Sequence, residues 1–197
     1  MFKTLANAWK IPDLKRKMIF TIVIVLLYRL GACIPVPYVS SDALNYIVTV
    51  NSSGSIFDYL NILSGQAFEQ ATLFALSVSP YITASIVMQL LTIAIPYLEN
   101  LSKEGEEGKK KINAYTRGVT AILALITAFG YVTMLNSYGC LAVSKSDGAL
   151  YYFAYVVMIA CFCAGAAIIM WMAERINERG IGNGISIILF ANIISRL

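Results

Sequence analysis

No histidine occurs among the 197 residues. That absence removes zinc and serine intramembrane proteases, whose chemistry needs an imidazole as metal ligand or general base. Charge is scarce too: 13% of residues are Asp, Glu, Lys or Arg against 58% hydrophobic, and mean hydropathy is +0.71. A soluble domain carries about 25% charged residues. Segments 71–98, 118–144 and 148–173 contain no charged residue, and each exceeds the roughly 20 residues that cross a bilayer's hydrocarbon core. They therefore hold neither paired aspartates nor a proton relay, which argues against an ion-coupled transporter and leaves a uniporter open. Cysteine is limited to Cys33, Cys140, Cys161 and Cys163. These form no disulfide framework, and Cys161 and Cys163 point to different faces of one segment, as packing residues do. No catalytic group, metal ligand set or cofactor motif is expected.

What remains is an all-α, polytopic membrane protein with about five transmembrane helices. The spans are placed at 18–35, 75–98, 118–136 and 150–173, with a fifth beginning at 183 and still apolar at Arg196. Residues 183–197 are too few for a comfortable span, so Leu197 is expected to fall within a helix that a longer protein continues. Basic residues set the orientation. Five precede the first span (Lys3, Lys10, Lys15, Arg16, Lys17), five lie in 99–117 (Lys103, Lys109, Lys110, Lys111, Arg117), and Arg175 and Arg179 follow the fourth span. The opposite loops hold only Lys145. The positive-inside rule then puts the N-terminal 1–17, the loop 99–117 and the turn 174–182 in the cytoplasm. With the basic residues so placed, the net charge of +4 calls for no nucleic-acid partner.

Lys15-Arg16-Lys17, the apolar run after it and Leu30-Gly31-Ala32-Cys33 imitate a lipoprotein signal. Arg29 between run and site disfavours processing; it fits better near the outer end of the first helix, reaching the interface or a water-filled interior. After the turn-rich Asn51-Ser52-Ser53-Gly54-Ser55, residues 56–63 have helical apolar spacing for only about two turns. Ser64-Gly65-Gln66 breaks that helix, Ala67 to Ala71 is expected to restart one, and Pro80 punctuates the apolar run beyond. A broken helix at membrane depth must be sheltered by protein or line a cavity, which points to a functional centre. An interfacial amphipathic helix in an external loop would explain the stretch as well.

Three motifs carry a resemblance to a known family. Glu174-Arg175-Ile176-Asn177-Glu178-Arg179-Gly180-Ile181-Gly182-Asn183-Gly184-Ile185-Ser186-Ile187 sets a charged turn against a fresh apolar segment. Pro80-Tyr81-Ile82, Ala84-Ser85-Ile86 and Gln89-Leu90-Leu91 recur at a fixed spacing, and Lys103-Glu104-Gly105-Glu106-Glu107-Gly108-Lys109-Lys110-Lys111-Ile112 follows. Together they resemble the N-terminal half of SecY, the central subunit of the Sec protein-translocation channel. Ser77 departs from the pattern, since the family usually has Gly there.

The resemblance implies one inverted-repeat half of a ten-helix channel, with an hourglass pore closed by an apolar ring and an outer plug helix. It places the plug-like segment at 54–74, with Ile56, Phe57, Tyr59, Leu60, Ile62 and Leu63 as its apolar residues. Ile82 and Ile86, and Ile185 and Leu189, fall on ring positions; each pair is spaced i, i+4 and so shares a helix face. Ordinary helix packing would also explain all four. The implied function is a conduit for unfolded secretory polypeptides that releases membrane segments sideways into lipid, in the bacterial cytoplasmic membrane with the N-terminus inside. Implied partners are SecE, SecG, the motor ATPase SecA, the ribosome, signal peptides, nascent chains and membrane lipid. Lys103, Glu106, Lys109, Lys110 and Lys111 form the candidate cytoplasmic partner surface, although solvation alone would account for these charges. The competing class is half of a secondary transporter or uniporter, which also builds sites from broken helices. A structural membrane scaffold is the third class, and it predicts no secretion defect on depletion.

Overall fold

The computed structural model describes residues 12–40, 43–44, 62–143 and 148–194. Among the described residues six helices are delimited in order: α1 Pro12–Ala32, α2 Ser79–Ala94, α3 Pro96–Lys103, α4 Glu106–Ser137, α5 Ala149–Arg179 and α6 Gly184–Ile194, and residues 62–64 are helical as well. Two isolated backbone bridges, Pro35 with Thr72 and Val39 with Leu141, tie loops together, and no strand occurs among the described residues.

Helices α4 and α5 are each long and apolar enough to cross a membrane, and α2 with α3 meets the same measure as one bent pair. The buried face of α4 runs Thr116, Thr120, Ala124, Ala128 and Val132, one residue per turn and mostly small, so a neighbour's backbone can approach closely. Its neighbour α5 supplies Ala154, Met158, Phe162, Ile169 and Ile176. Arg117 near the start of α4 meets Glu174 near the end of α5, while Thr133 meets Tyr155. The two helices are therefore antiparallel. In α1 the buried residues Ile24, Tyr28 and Ala32 recur every fourth position and face α5.

Three expectations change. Residues 65–78 are a chain of turns, where the sequence suggested a restarted helix at 67–71 and a span from 75. Gln66, Ala71 and Ser77 have φ of 70°, 45° and 54°, which no right-handed helix accommodates. The helix begins only at Ser79, with Pro80 in its first turn, where a missing N–H costs nothing. The second change is at Ile95. This residue is extended ahead of Pro96, as a pre-proline residue prefers, and α3 leaves α2 at 99°. Third, the expected loop 99–117 is largely helical, because α4 begins at Glu106, whose carboxylate together with that of Glu107 favours a helix N-terminus.

Candidate functional site

The turns at 65–78 are mostly buried, and several of their backbone groups pair with other elements. The Val36 amide donates to the Ala71 carbonyl at 3.1 Å and the Leu73 amide to the Ile34 carbonyl at 2.9 Å. Tyr131 Oη of α4 donates to the Phe68 carbonyl at 2.8 Å, and the Phe68 amide to Ser64 Oγ at 3.1 Å. Non-helical backbone is stable in an apolar setting only when it is paired in this way. On the α5 side Gly165 lets the Leu73 carbonyl sit directly against the helix, in space that a Cβ would fill. Phe74 stacks on Tyr28 of α1, with ring centroids 5.2 Å apart. A cavity of about 280 Å³ adjoins the segment, lined by Leu63, Leu76, Ser77, Pro80, Tyr131 and Met134 among others.

A polar knot joins this segment to α1 and α6. Arg29 donates to the Ala191 carbonyl of α6, and its guanidinium lies 6.0 Å from the Tyr28 ring centroid. Arg29 thus turns inward onto a neighbouring helix, not toward the interface. Asn192 Nδ2 and Ser77 Oγ both donate to the Leu63 carbonyl, at 2.9 and 3.1 Å. Gly65, at φ 62°, closes the knot: a Cβ there would come within 3.2 Å of both Arg29 Nη1 and Asn192 Oδ1.

The sequence reading missed Asn192, Tyr28 and Tyr131. A lone Asn in the apolar run Gly184–Ile194 was the available signal, since an amide in such a helix needs a specific partner.

Of the ring residues, Ile82 and Ile185 are half-buried against one apolar cluster that contains Phe74, Val78 and Ile188. Ile86 is 52% exposed, and Leu189 is half-buried outside that cluster. Among the plug residues Ile62 and Leu63 are half-buried, whereas Ile56, Phe57, Tyr59 and Leu60 lie outside the described residues. Lys103, Glu106, Lys109, Lys110 and Lys111 are all exposed around the α3–α4 corner. Lys103 pairs with Glu99 at 2.6 Å, which holds that carboxyl below its ordinary pKa range, and Lys111 lies 3.7 Å from Glu104.

Glu174 to Arg179 are the last residues of α5, so the turn expected at 174–182 narrows to 180–183, and side chains around it hold it in place. Arg175 pairs with Glu178 at 2.8 Å, and Asn177 Oδ1 accepts the Gly184 amide at 2.7 Å. Asn183 Oδ1 accepts the Ile185 amide at 3.0 Å, capping α6. Thr21 Oγ1 of α1 accepts the Ile181 amide at 3.2 Å, so the turn is anchored on two helices.

Comparison with known proteins agrees with this geometry. A family model described as SecY matches residues 72–197. The protein translocase subunits SecY of Streptomyces coelicolor and Thermus thermophilus are each 43% identical to the chain, over 98% of its length and 45% and 44% of theirs. The chain thus spans less than half the length of these relatives. Among solved structures, one titled "The structure of a protein conducting channel" is similar with a TM-score of 0.61 and 21% identity, over 95% of this chain and 40% of that one. A second, concerning the SecY plug domain and the closed state of the translocation channel, has a TM-score of 0.59 and 22% identity over 95% and 39%.

Proposed function

The chain belongs to the SecY family, and from that premise we propose that it forms one half of a protein-conducting channel, its role physical and not catalytic. The observation that carries this reading is the sheltered break at 65–78, where turns replace helix in the middle of an apolar bundle. Such a break is tolerated where protein or a water-filled path surrounds it.

In this reading five segments cross the membrane, α1 and α6 adding to α4, α5 and the bent pair, with the N-terminus in the cytoplasm. Ile82, Ile86, Ile185 and Leu189 contribute to an apolar collar. A collar of branched alkyl groups dewets when empty and offers a passing peptide no hydrogen bond, so it seals against ions without gripping polypeptide. The segment 54–74 is the proposed plug of that collar. Sideways release of a membrane segment into lipid would be driven by apolar transfer, about 0.8 kcal/mol per buried CH₂. SecE, SecG, SecA and the ribosome are the proposed partners, with the exposed Lys103, Glu106, Lys109, Lys110 and Lys111 as the docking surface on the cytoplasmic side.

The test is a chimera in which this chain replaces the matched portion of the Streptomyces coelicolor relative. Vesicles holding the chimera, SecE, SecG, SecA and ATP should import a secretory precursor. A stably inserted chimera that imports nothing overturns the reading.

A further inference from the structure

Residues 62–65 of the plug-like stretch meet two other segments at one backbone atom. The Leu63 carbonyl accepts Ser77 Oγ at 3.1 Å and Asn192 Nδ2 at 2.9 Å. The two donors come from different elements: Ser77 precedes α2, and Asn192 lies on α6, 129 residues away from its acceptor. Both side chains are buried, and the fully buried Tyr28 of α1 faces both of them. Ser77 also holds a left-handed conformation, φ 54°, that favours glycine. A glycine there would relieve the backbone but could not donate. The hydroxyl compensates for an unfavourable conformation, and it does so at a residue that reaches a second element.

We infer that Ser77 and Asn192 form a two-donor latch on the Leu63 carbonyl, which holds residues 62–65 between the approach to α2 and the Asn192 face of α6. The latch deepens the channel reading, and its role in closure rests on 54–74 being the plug. Because the donors share one acceptor, either alone keeps the carbonyl satisfied and the segment tied. Loss of both leaves a polar group without a partner and frees the segment from α6 as well. The two side chains must therefore be coupled.

The experiment is hydrogen exchange at the amides of 67–75 in the full chain, held in lipid nanodiscs. Ser77→Ala and Asn192→Leu should each speed local exchange about threefold, and the double variant about thirtyfold or more, beyond the product of the singles. Ser137→Ala, a hydroxyl lost elsewhere, should change nothing there. A double variant that equals the product, or no acceleration in Ser77→Ala, overturns the latch. If Asn192→Leu loosens α4 and α5 too, the Ser77→Ala result alone decides. Ion leak through the chimera described above separates the two readings. Accelerated exchange with unchanged leak leaves the latch standing and removes the plug; unchanged exchange removes the latch whatever the leak.

Discussion

Arg117 and Glu174 meet fork to fork, with Nε to Oε1 at 2.8 Å and Nη2 to Oε2 at 2.6 Å, and so tie the first half of α4 to the end of α5. The carboxylate is mostly covered, but the guanidinium is half exposed. Water and salt therefore weaken the attraction, and bidentate geometry restores part of it. Glu174→Gln should destabilise the helix pair by about 0.5–1 kcal/mol, and the loss should shrink in high salt. Equilibrium unfolding in mixed micelles at two salt concentrations checks this; a loss that ignores salt would point to packing.

Gly165 should be intolerant of even one added carbon. Its missing Cβ is the space that the Leu73 carbonyl occupies, and backbone cannot swing aside as a side chain tip can. Gly165→Ala should cost about 1–3 kcal/mol, the range of overpacked sites, and should speed exchange at 71–75 before it affects α4. Gly118→Ala, where open space surrounds the position, is the control and should be neutral or slightly stabilising.

The proposed topology rests on twelve basic residues in 1–17, 99–117 and 174–182 against one in the two opposite loops. In a background without the four native cysteines, Ser137→Cys should react with an impermeant thiol reagent from outside the cell. Glu106→Cys, at the other end of the same helix α4, should react only from the cytoplasmic side. The reverse pattern would overturn the orientation.

Ile86→Asn in the chimera should raise resting ion conductance several-fold in planar bilayers, because a carboxamide holds water where a branched alkyl group holds none. The same change should relax the need for a strong signal sequence, since a weakened closed state needs less substrate binding energy to open. Unchanged conductance and unchanged selectivity would assign Ile86 to the lipid-facing surface.

The charge-free stretches of α4 and α5 and the apolar restart after the glycines at 180–184 were legible in the sequence, because each depends on neighbours along the chain. Asn183 capping α6 from one residue before it is of that kind. The segment 65–78 was not legible as turns. Ala67 to Ala71 has ordinary helix-forming residues, and what holds them otherwise comes from far away: the Tyr131 hydroxyl on Phe68, and the Ile34 carbonyl on Leu73. The bend after Ala94 was readable in principle from Ile95-Pro96, a local signal outweighed by the charge-free run that continues past it to Leu98. The pairing of Arg29 with the Ala191 carbonyl had no local signal at all.

The bend at Ile95 has a mechanical meaning. Leu98 and Leu101 of α3 are clamped against Met88 and Ile112, and the Leu101 carbonyl rests on Gly108, so α3 and the start of α4 form one stiff elbow. A protein pushing on Lys109 to Lys111 acts through that elbow, at 99° to α2. In a straight rod the same push would be axial thrust, sliding α2 along its own length. Across a right angle it would become torque, and because Met88 of α2 packs in the same cluster as Leu98 and Leu101, the bend is braced and the torque would reach the helix that carries Ile82 and Ile86.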